Sequence, residues 1–283
     1  QNPGMSGGTG GPSTLPETRW AASSTVPDGS DARPGEVGFP EFPSLSPDGR
    51  WVVFSWAGDL WVAPTEGTSA DAPRTATRLT SHPAEERRSA FSPDGSMLAF
   101  ESDRDGARNL YVMPLTQAGG TLVGGPVSRV TVSDRAEWLG SFSADGKALY
   151  FSSDRTPAIY SAPHMYRVEL LAENRGFTGV GGPVTELTPA FGWMPRASAD
   201  GASIVFGRNR PVLERPKYRG SGNQELYRFN LRDGSFDRLT TSPANDAEGV
   251  QLPDGSLVFI SSRDGQNNLW RLGKGQPDEQ ADD

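Results

Sequence analysis

The chain has 283 residues, a formal net charge of −8 and no cysteine. The acidic balance argues against a nucleic-acid or anionic-membrane partner, and the lack of cysteine excludes disulfides, zinc–thiolate sites and cysteine nucleophiles. No apolar run approaches the roughly 18 residues that a membrane span needs, so membrane insertion is not expected. With 34 glycines and 24 prolines, the composition favours many short strands joined by tight turns over long helices.

Residues 1–36 are rich in Gly, Ser, Thr and Pro and have no periodic apolar pattern. Such a segment buries too little surface to offset its ordering entropy, so we expect a flexible tail. It contains one G-x-S-x-G match, Gly4-Met5-Ser6-Gly7-Gly8. A nucleophile elbow needs a strand before it and a helix after it, and a glycine-rich tail supplies neither. The start at Gln1 instead of Met indicates a processed or truncated N-terminus.

From Phe42 onward, one unit recurs five times: strand, tight turn, apolar strand, second turn, third strand. Its clearest copy is Phe91-Ser92-Pro93-Asp94-Gly95 followed by Met97–Phe100, in which proline presets φ, aspartate caps its own backbone and glycine accepts a positive φ. Because the turn aspartates recur unchanged, we interpret them as architecture and not as paired carboxylates for glycoside hydrolysis. Successive turn aspartates are about 50 residues apart. They are Asp48, Asp94, Asp145, Asp200 and Asp254.

The third strands place an aromatic residue beside an aliphatic one, at Leu60–Val62, Leu110–Val112, Ile159–Tyr160, Leu226–Phe229 and Leu269–Leu272. Four units close on a fourth segment such as Arg78-Leu79-Thr80, and the fifth does not. Four short strands at this period describe propeller blades, which pack on their neighbours because one sheet cannot bury both its faces. Five in-phase copies disfavour a generic β-sandwich. The sequence therefore predicts an all-β protein: a β-propeller of four-stranded blades over residues 37–273, with five blades evident and the last lacking its fourth strand, then an acidic polar tail at 274–283.

The incomplete fifth unit leaves two alternatives open. Either an N-terminal segment such as Arg19-Trp20-Ala21-Ala22 completes that blade, or the chain is cut from something longer. Whether five blades close into a ring, and in which oligomeric state, also stays open. Two segments depart from the repeat: one follows Tyr160, and the other spans Gly207 to Gly222. They are lengthened strands or insertions, and insertions of this kind often form a binding face.

The motifs Phe-Ser-Pro-Asp-Gly, Ser-Asp-Arg-Asp-Gly, Asn-Leu-Tyr-Val-Met-Pro and Arg-Leu-Thr resemble the PD40, or TolB-like, repeat of WD40-like blades. The order of their variants, from Phe54–Val62 through Phe100–Gly106 to Tyr218–Ser221, resembles the amino-terminal propeller of tricorn-protease-like S41, or carboxy-terminal-processing, serine peptidases. The resemblance covers about Gly38 to Leu272. In that group a six-bladed propeller precedes further domains that include the catalytic core, so no catalytic residue carries over to this chain.

The resemblance implies a non-catalytic propeller that gates or docks peptides for a bacterial peptidase outside the cytoplasm, periplasmic or secreted. The expected partner is thus a peptide or a protein. The alternative is a TolB-like protein-interaction scaffold with no protease attached. A propeller enzyme acting on glycans or esters is the third possibility, and no convergent acid–base set favours it.

Few side chains suit catalysis or metal binding. His82 lies in an inter-blade turn and His164 in the first departure, with no H-x-x-x-H or comparable spacing, so we expect no catalytic residue, no metal site and no cofactor. The segment Asp103-Arg104-Asp105-Gly106 lacks the glutamate of an EF-hand loop. It is interpreted as a turn whose Asp and Arg pair locally and tie blades together.

The better functional candidates are residues that differ between the units around the start of the first strand. In a propeller this innermost strand lines the central channel, and its end faces the channel mouth. Aromatic, Arg and Glu side chains there would contact an extended peptide through stacking, charge and backbone bonds, although the tryptophans could instead fill wedges between blades. The candidates are Arg87, Arg88, Trp138, Trp193, Arg196 and Glu248, with Glu137 and Asp246 beside them.

Overall fold

The computed structural model describes residues 20–23, 35–37, 40–66, 74–156, 162–173, 176–276 and 278, and every regular element within them is a β-strand. The strands form five sheets that follow one another along the chain. They confirm the predicted all-β propeller of five blades, and the last blade has three strands in the described part of the chain. No helix that could span a membrane occurs in these ranges.

The first blade contains β1 (Trp20–Ser23), β2 (Gly35–Val37), β3 (Glu41–Leu45), β4 (Trp51–Trp56), β5 (Asp59–Pro64) and β6 (Arg74–Arg78). The second contains β7 (Glu86–Phe91), β8 (Met97–Ser102), β9 (Asn109–Ala118), β10 (Thr121–Gly124) and β11 (Ser128–Arg129). The third contains β12 (Glu137–Phe142), β13 (Ala148–Ser153), β14 (His164–Glu173) and β15 (Gly176–Phe191). The fourth contains β16 (Trp193–Ala197), β17 (Ser203–Arg208), β18 (Glu225–Asn230) and β19 (Phe236–Arg238). The fifth contains β20 (Asp246–Gln251), β21 (Leu257–Ser261) and β22 (Asn268–Leu272).

The hydrophobic core lies between the blades. The first strands of successive blades pack against one another in chain order, and we call β3, β7, β12, β16 and β20 the inner strands. One core cluster joins Val53 and Leu60 of the first blade to Phe100 and Tyr111 of the second. Blades therefore bury much of their apolar surface against their neighbours.

The third strand of the third blade begins at His164, later than the sequence suggested. Ile159–Tyr160 lies outside the described residues, and β14 pairs with β13 from His164 opposite Ser153 to Glu169 opposite Ala148. The first departure from the repeat is thus a lengthened third strand, and it continues into a long antiparallel pairing with β15. Its buried residues Met165 and Val168 supply the apolar side chains that the sequence pattern predicted at Ile159–Tyr160.

The N-terminal segment extends the first blade and does not complete the fifth. Two short strands, β1 and β2, lie at residues that the sequence assigned to a flexible tail. β1 pairs parallel with β6, and β2 pairs antiparallel with β1. The outer edge of β6 would otherwise present unpaired N–H and C=O groups, which β1 satisfies. Val37 packs with Phe54 and Trp61 in the core of that blade.

A buried ion pair joins the inner strand of the third blade to the turn after its second strand. Arg155 bonds to Glu137, which is 0% exposed, and its guanidinium lies 5.3 Å from the rings of both Phe151 and Tyr166. Thr131, at the end of the second blade, donates its hydroxyl to the same carboxylate. We call this carboxylate–arginine–aromatic unit the clasp. Because Thr131 belongs to the preceding blade, the clasp fastens neighbouring blades to each other.

The clasp recurs as Glu86–Arg104 in the second blade and Asp246–Arg263 in the fifth. Glu137 and Asp246, which the sequence placed beside the channel candidates, are therefore structural. Arg104 bonds to Glu86 instead of a local aspartate, because stacking on Phe100 and Tyr111 holds its guanidinium inward. The backbone N–H of each buried acid also donates to the preceding blade: Glu86 to Gly58 O (2.8 Å), Glu137 to Arg108 O (3.0 Å) and Asp246 to Gln224 O (2.9 Å).

The predicted aspartate turns are present at the far end of each inner strand. Gly95 has a φ of 72°, which explains glycine at that position. The hydrogen bond from serine is the largest cause that holds the pKa of all five carboxyls below the ordinary value, to about 2 for Asp48. In each turn a serine hydroxyl donates to the aspartate at 2.6 Å: Ser46–Asp48, Ser92–Asp94, Ser143–Asp145, Ser198–Asp200 and Ser256–Asp254.

Replacing Arg155 with leucine is expected to destabilise the fold by about 3–5 kcal/mol, because the buried Glu137 carboxylate loses its counter-ion. The matched control is Arg50→Leu, which removes an exposed pair with Asp48 and should cost at most about 1 kcal/mol. The double variant Glu137→Gln/Arg155→Leu should recover part of the loss, since no unpaired charge remains. The free energies of unfolding from urea titrations measure these effects. Equal losses for Arg155→Leu and Arg50→Leu would contradict a structural role for the clasp.

Acid should weaken the fold through the turn aspartates. Their pKa values are lowered in the folded state, so the unfolded chain binds protons first as the pH falls. This stabilisation is fully present at a pH above 3.8, the ordinary pKa of an aspartate. It is lost as the pH falls towards about 2, the pKa of Asp48 in the folded chain. Unfolding measured from pH 5 to pH 2 should show a shallower decline in Asp94→Asn and Ser92→Ala than in the native chain. An identical slope in all three proteins would exclude this contribution from the Asp94 turn.

Candidate functional site

All six candidates lie on the inner strands, and all except Arg196 lie in the half remote from the aspartate turn, whereas Arg196 is nearer the turn of its strand. Turns of successive blades meet at one end of the channel: a Cβ on Gly95 would lie 3.6 Å from Pro47, and one on Gly146 would lie 3.5 Å from Pro93. Each inner strand runs into its turn, so its first residues face the opposite opening. We call that opening the channel mouth.

A β-bulge interrupts every inner strand close to the mouth. The pairing register shifts between Arg87 and Ser89 in β7 and between Ala247 and Val250 in β20, for example. Arg88 and Glu248 occupy these bulges with left-handed backbone angles, φ 45° and 54°, which favour glycine and cost on the order of 1–3 kcal/mol in other residues. Bulges redirect side chains. The same conformation occurs at Phe42 (φ 51°) and Met194 (φ 55°).

Two of the redirected side chains, those of Arg88 and Glu248, form an ion-pair cluster with Arg196 in the channel. Glu248 of the fifth blade bonds to Arg196 of the fourth at 2.6 Å and to Arg88 of the second at 3.4 Å. The guanidinium carbon of Arg88 lies 4.2 Å from the ring centroid of Phe42 in the first blade. We call Phe42, Arg88, Arg196 and Glu248 the axial cluster. Burial opposes ionisation of Glu248, but Arg196 and Arg88 outweigh it and hold the pKa of its carboxyl below the ordinary value.

Glu101 supports the axial cluster and was not among the residues predicted from the sequence. Its carboxylate, 0% exposed, lies 3.4 Å from Arg88 and accepts the N–H of Leu139 at 2.8 Å. Burial raises the pKa of Glu101 to about 7, against the opposing effect of Arg88, Leu139 N–H and two further arginines. The second strands of the first and third blades have Ser55 and Ser152 at this position. The sequence did contain a signal for Glu101: a carboxylate stands in one copy of an apolar strand where two other copies have serine.

Arg87 lies at the rim of the mouth beside this cluster. It pairs with Glu85 at 3.2 Å and approaches Glu101 at 3.8 Å. Arg108 bridges the same two acids, at 3.8 Å from each. The structure therefore brings Arg87, Arg88, Arg196 and Glu248 into one network, linked through Glu101.

Trp138 and Trp193 form a second group at the mouth. Their ring centroids are 4.9 Å apart with planes tilted by 47°, so the pair closes the wedge between the third and fourth blades. Trp193 is nearly buried, whereas Trp138 is half-buried. Arg210, which lies in the second departure from the repeat, places its guanidinium carbon 4.8 and 5.0 Å from the two centroids. The tryptophans thus combine packing with an exposed face.

The histidines lie away from these groups. His82 accepts the N–H of Ala84 in its turn, and His164 bonds through Nδ1 to Glu186 at 2.5 Å at the start of β14. Within the described ranges, no three His, Cys, Asp or Glu side chains come together in a manner that could hold a metal ion. The mouth offers paired charges, aromatic faces and backbone groups, which suit non-covalent recognition.

Comparisons with known proteins agree with this architecture. The family described as the tricorn protease N-terminal beta propeller domain matches residues 37–281. Tricorn protease homolog 1 of Streptomyces coelicolor is 27% identical over 243 residues, which cover 84% of this chain and 20% of that protein. The chain therefore spans about a fifth of the length of that relative.

Two solved structures share the fold. A putative TolB from Agrobacterium tumefaciens superposes with a TM-score of 0.57 at 20% identity, covering 88% of each chain. The tricorn protease crystal structure superposes with a TM-score of 0.55 at 21% identity, covering 84% of this chain and 21% of that one. The match over residues 37–281 is to a propeller domain and not to a catalytic one. This chain belongs to the tricorn protease N-terminal beta propeller domain family.

Proposed function

We propose that this propeller docks extended peptides at the channel mouth and controls their access to a tricorn-like S41 peptidase, without performing catalysis itself. The observation that carries the proposal is the axial cluster, in which one carboxylate, Glu248, bridges Arg88 of the second blade and Arg196 of the fourth. The exported, periplasmic or secreted, location expected from the resemblance belongs to the same proposal.

The axial cluster suits a selective barrier. It is made from side chains of four blades, so a peptide that enters the channel at that level has to displace these contacts. A peptide brings its own carboxylate, ammonium and backbone groups, which exchange with the arginines and Glu248 one bond at a time. Complementary charge of this kind contributes to specificity and to the rate of association more than to raw affinity.

The bulges also support a functional site through the side chains that they carry. The left-handed angle recurs at Phe42, Arg88, Met194 and Glu248, so the bulge itself belongs to the blade repeat, whereas its side chain differs from blade to blade. Strained residues of this kind concentrate at ligand-binding positions. Here the strain directs the two charged side chains into the channel instead of along the strand.

Alanine substitution of Arg88, Arg196 or Trp138 is expected to weaken binding of unfolded peptides by at least about fivefold, since interface residues that matter contribute on the order of 1 kcal/mol or more. The matched control is Arg271→Ala, which removes an exposed pair with Asp254 at the turn end of the propeller. Fluorescence anisotropy with labelled peptide pools measures binding, and thermal unfolding checks that each variant is folded.

Three outcomes of that experiment have different meanings. Unchanged peptide binding in folded Arg88→Ala and Arg196→Ala would remove the channel mouth as the docking site. Binding of folded proteins but of no peptide would favour the TolB-like scaffold. Hydrolysis of peptide, ester or glycoside substrates by the purified chain would overturn its non-catalytic role.

A further inference from the structure

The Arg210 side chain stacks on the pair of tryptophans at the channel mouth. Its guanidinium carbon is almost equidistant from Trp138 and Trp193, at 4.8 and 5.0 Å from their ring centroids, and so covers the outer face of the pair. Trp is the best aromatic partner for a cation, and two rings at this distance act on the same charge. We call Trp138 and Trp193 with the space above them the indole platform.

The Arg210 side chain has no carboxylate partner among the described residues, although many arginines of the chain do. It is exposed, so the stacking contact is its main tether. Cation–π contacts at exposed positions are weak. The side chain can therefore leave the platform without leaving a buried charge behind.

The loop that carries Arg210 is fastened to the fifth blade and not to the platform. Asn245 exchanges two hydrogen bonds with the backbone of Val212, at 3.3 and 3.2 Å. Arg219 donates to Ser262 O at 2.8 Å, and Asn267 donates to Leu213 O at 2.7 Å. These bonds hold the backbone when the Arg210 side chain moves, so displacement requires one side chain and not the whole loop.

A second observation indicates an unfilled binding capacity at the platform. The indole N–H of Trp193, in a residue that is 8% exposed, has no acceptor among the described residues. Buried indole N–H groups usually have an acceptor. A peptide lying over the mouth carries a row of carbonyl oxygens that can supply one.

From these contacts we infer that the indole platform is a recognition site for an arginine side chain of a docked peptide, and that Arg210 is its resident intramolecular occupant. The inference rests on the proposed peptide-docking function and names the side chain that the mouth selects. A guanidinium is favoured over an ammonium because it is planar, stacks on rings and is more weakly hydrated. The neighbouring arginines Arg87, Arg88, Arg108 and Arg196 do not repel it strongly, because Glu41, Glu85, Glu101 and Glu248 share the mouth with them.

The test uses the 283-residue chain and two small probes, N-acetylargininamide and its neutral isostere N-acetylcitrullinamide. Binding is followed by the indole N–H resonances, which Trp138 and Trp193 variants assign. Arg210→Ala should bind the arginine probe at least about fivefold more tightly than the native chain, since the platform is no longer occupied. The citrulline probe should not saturate either protein.

The matched control is Arg215→Ala, which removes an exposed arginine of the same loop that stacks on Tyr218. It should bind the arginine probe as the native chain does. Trp138→Leu should abolish binding. Because that change could disturb the wedge, Trp138→Phe is included, and it should bind with an intermediate affinity.

Equal affinity of the native chain and Arg210→Ala, or equal binding of the two probes, would overturn the inference. Its failure is distinguishable from failure of the proposed function. If peptides bind and depend on Arg88 and Arg196 while the arginine probe does not bind, docking stands and the platform does not select arginine. If the arginine probe binds as expected and no peptide does, the cation site stands and peptide docking falls.

Discussion

The clasp is the interaction on which the rest of the structure depends. A glutamate such as Glu137, fully buried, is tolerated only because Arg155 and a hydroxyl of the preceding blade satisfy its oxygens. The arginine is held in turn by two aromatic rings that the same blade contributes to the core. Neither blade can complete this set of contacts alone. The contacts form only when two neighbouring blades meet at the angle and height that bring the hydroxyl of one blade to the carboxylate of the next. The hydrophobic core between blades supplies most of the burial, and the clasp selects one arrangement of it.

Because the clasps hold the blades near the channel mouth and the turns hold them at the other end, the inner-strand residues between them are free to vary. That freedom explains why Arg88 and Glu248, at matching bulges of two blades, have opposite charges and meet across the channel. Residues that repeat, such as Asp94, serve the fold, whereas Phe42, Arg88 and Glu248 differ at the same bulge position and join Arg196 in the axial cluster. Comparing the units with one another therefore locates the candidate site without any catalytic motif.

Sequence reasoning predicted the local features and missed those that depend on distance in the chain. The turns around Asp94 and its counterparts follow from short-range chemistry, and the candidates on the inner strands follow from periodicity. The strand at Trp20–Ser23 could not be assigned to the first blade, because its partner is an edge more than fifty residues away. Glu101 was hidden in a strand that reads as apolar, and Arg210 in a loop whose position over Trp138 only the fold reveals. For the clasp, the sequence predicted that Arg104 pairs with a neighbouring aspartate. Its actual partner, Glu86, lies eighteen residues earlier, which is too far for a local pattern to indicate.

The two groups at the mouth separate binding from passage. In the proposed function, an entering peptide can meet the indole platform while the axial cluster is intact, because Arg210 is exposed and no hydrogen bond, ion pair or ring contact joins the platform to Glu248 among the described residues. Breaking the axial cluster is different in kind, since removing a partner from Glu248 leaves a half-buried charge that an incoming group must replace. Capture at the rim thus costs one weak stacking contact, whereas movement along the channel requires an exchange of ion pairs. If the proposed function holds, a propeller with this order of barriers would retain peptides at its mouth more readily than it would conduct them, which favours docking over free passage as the proposed role of this domain.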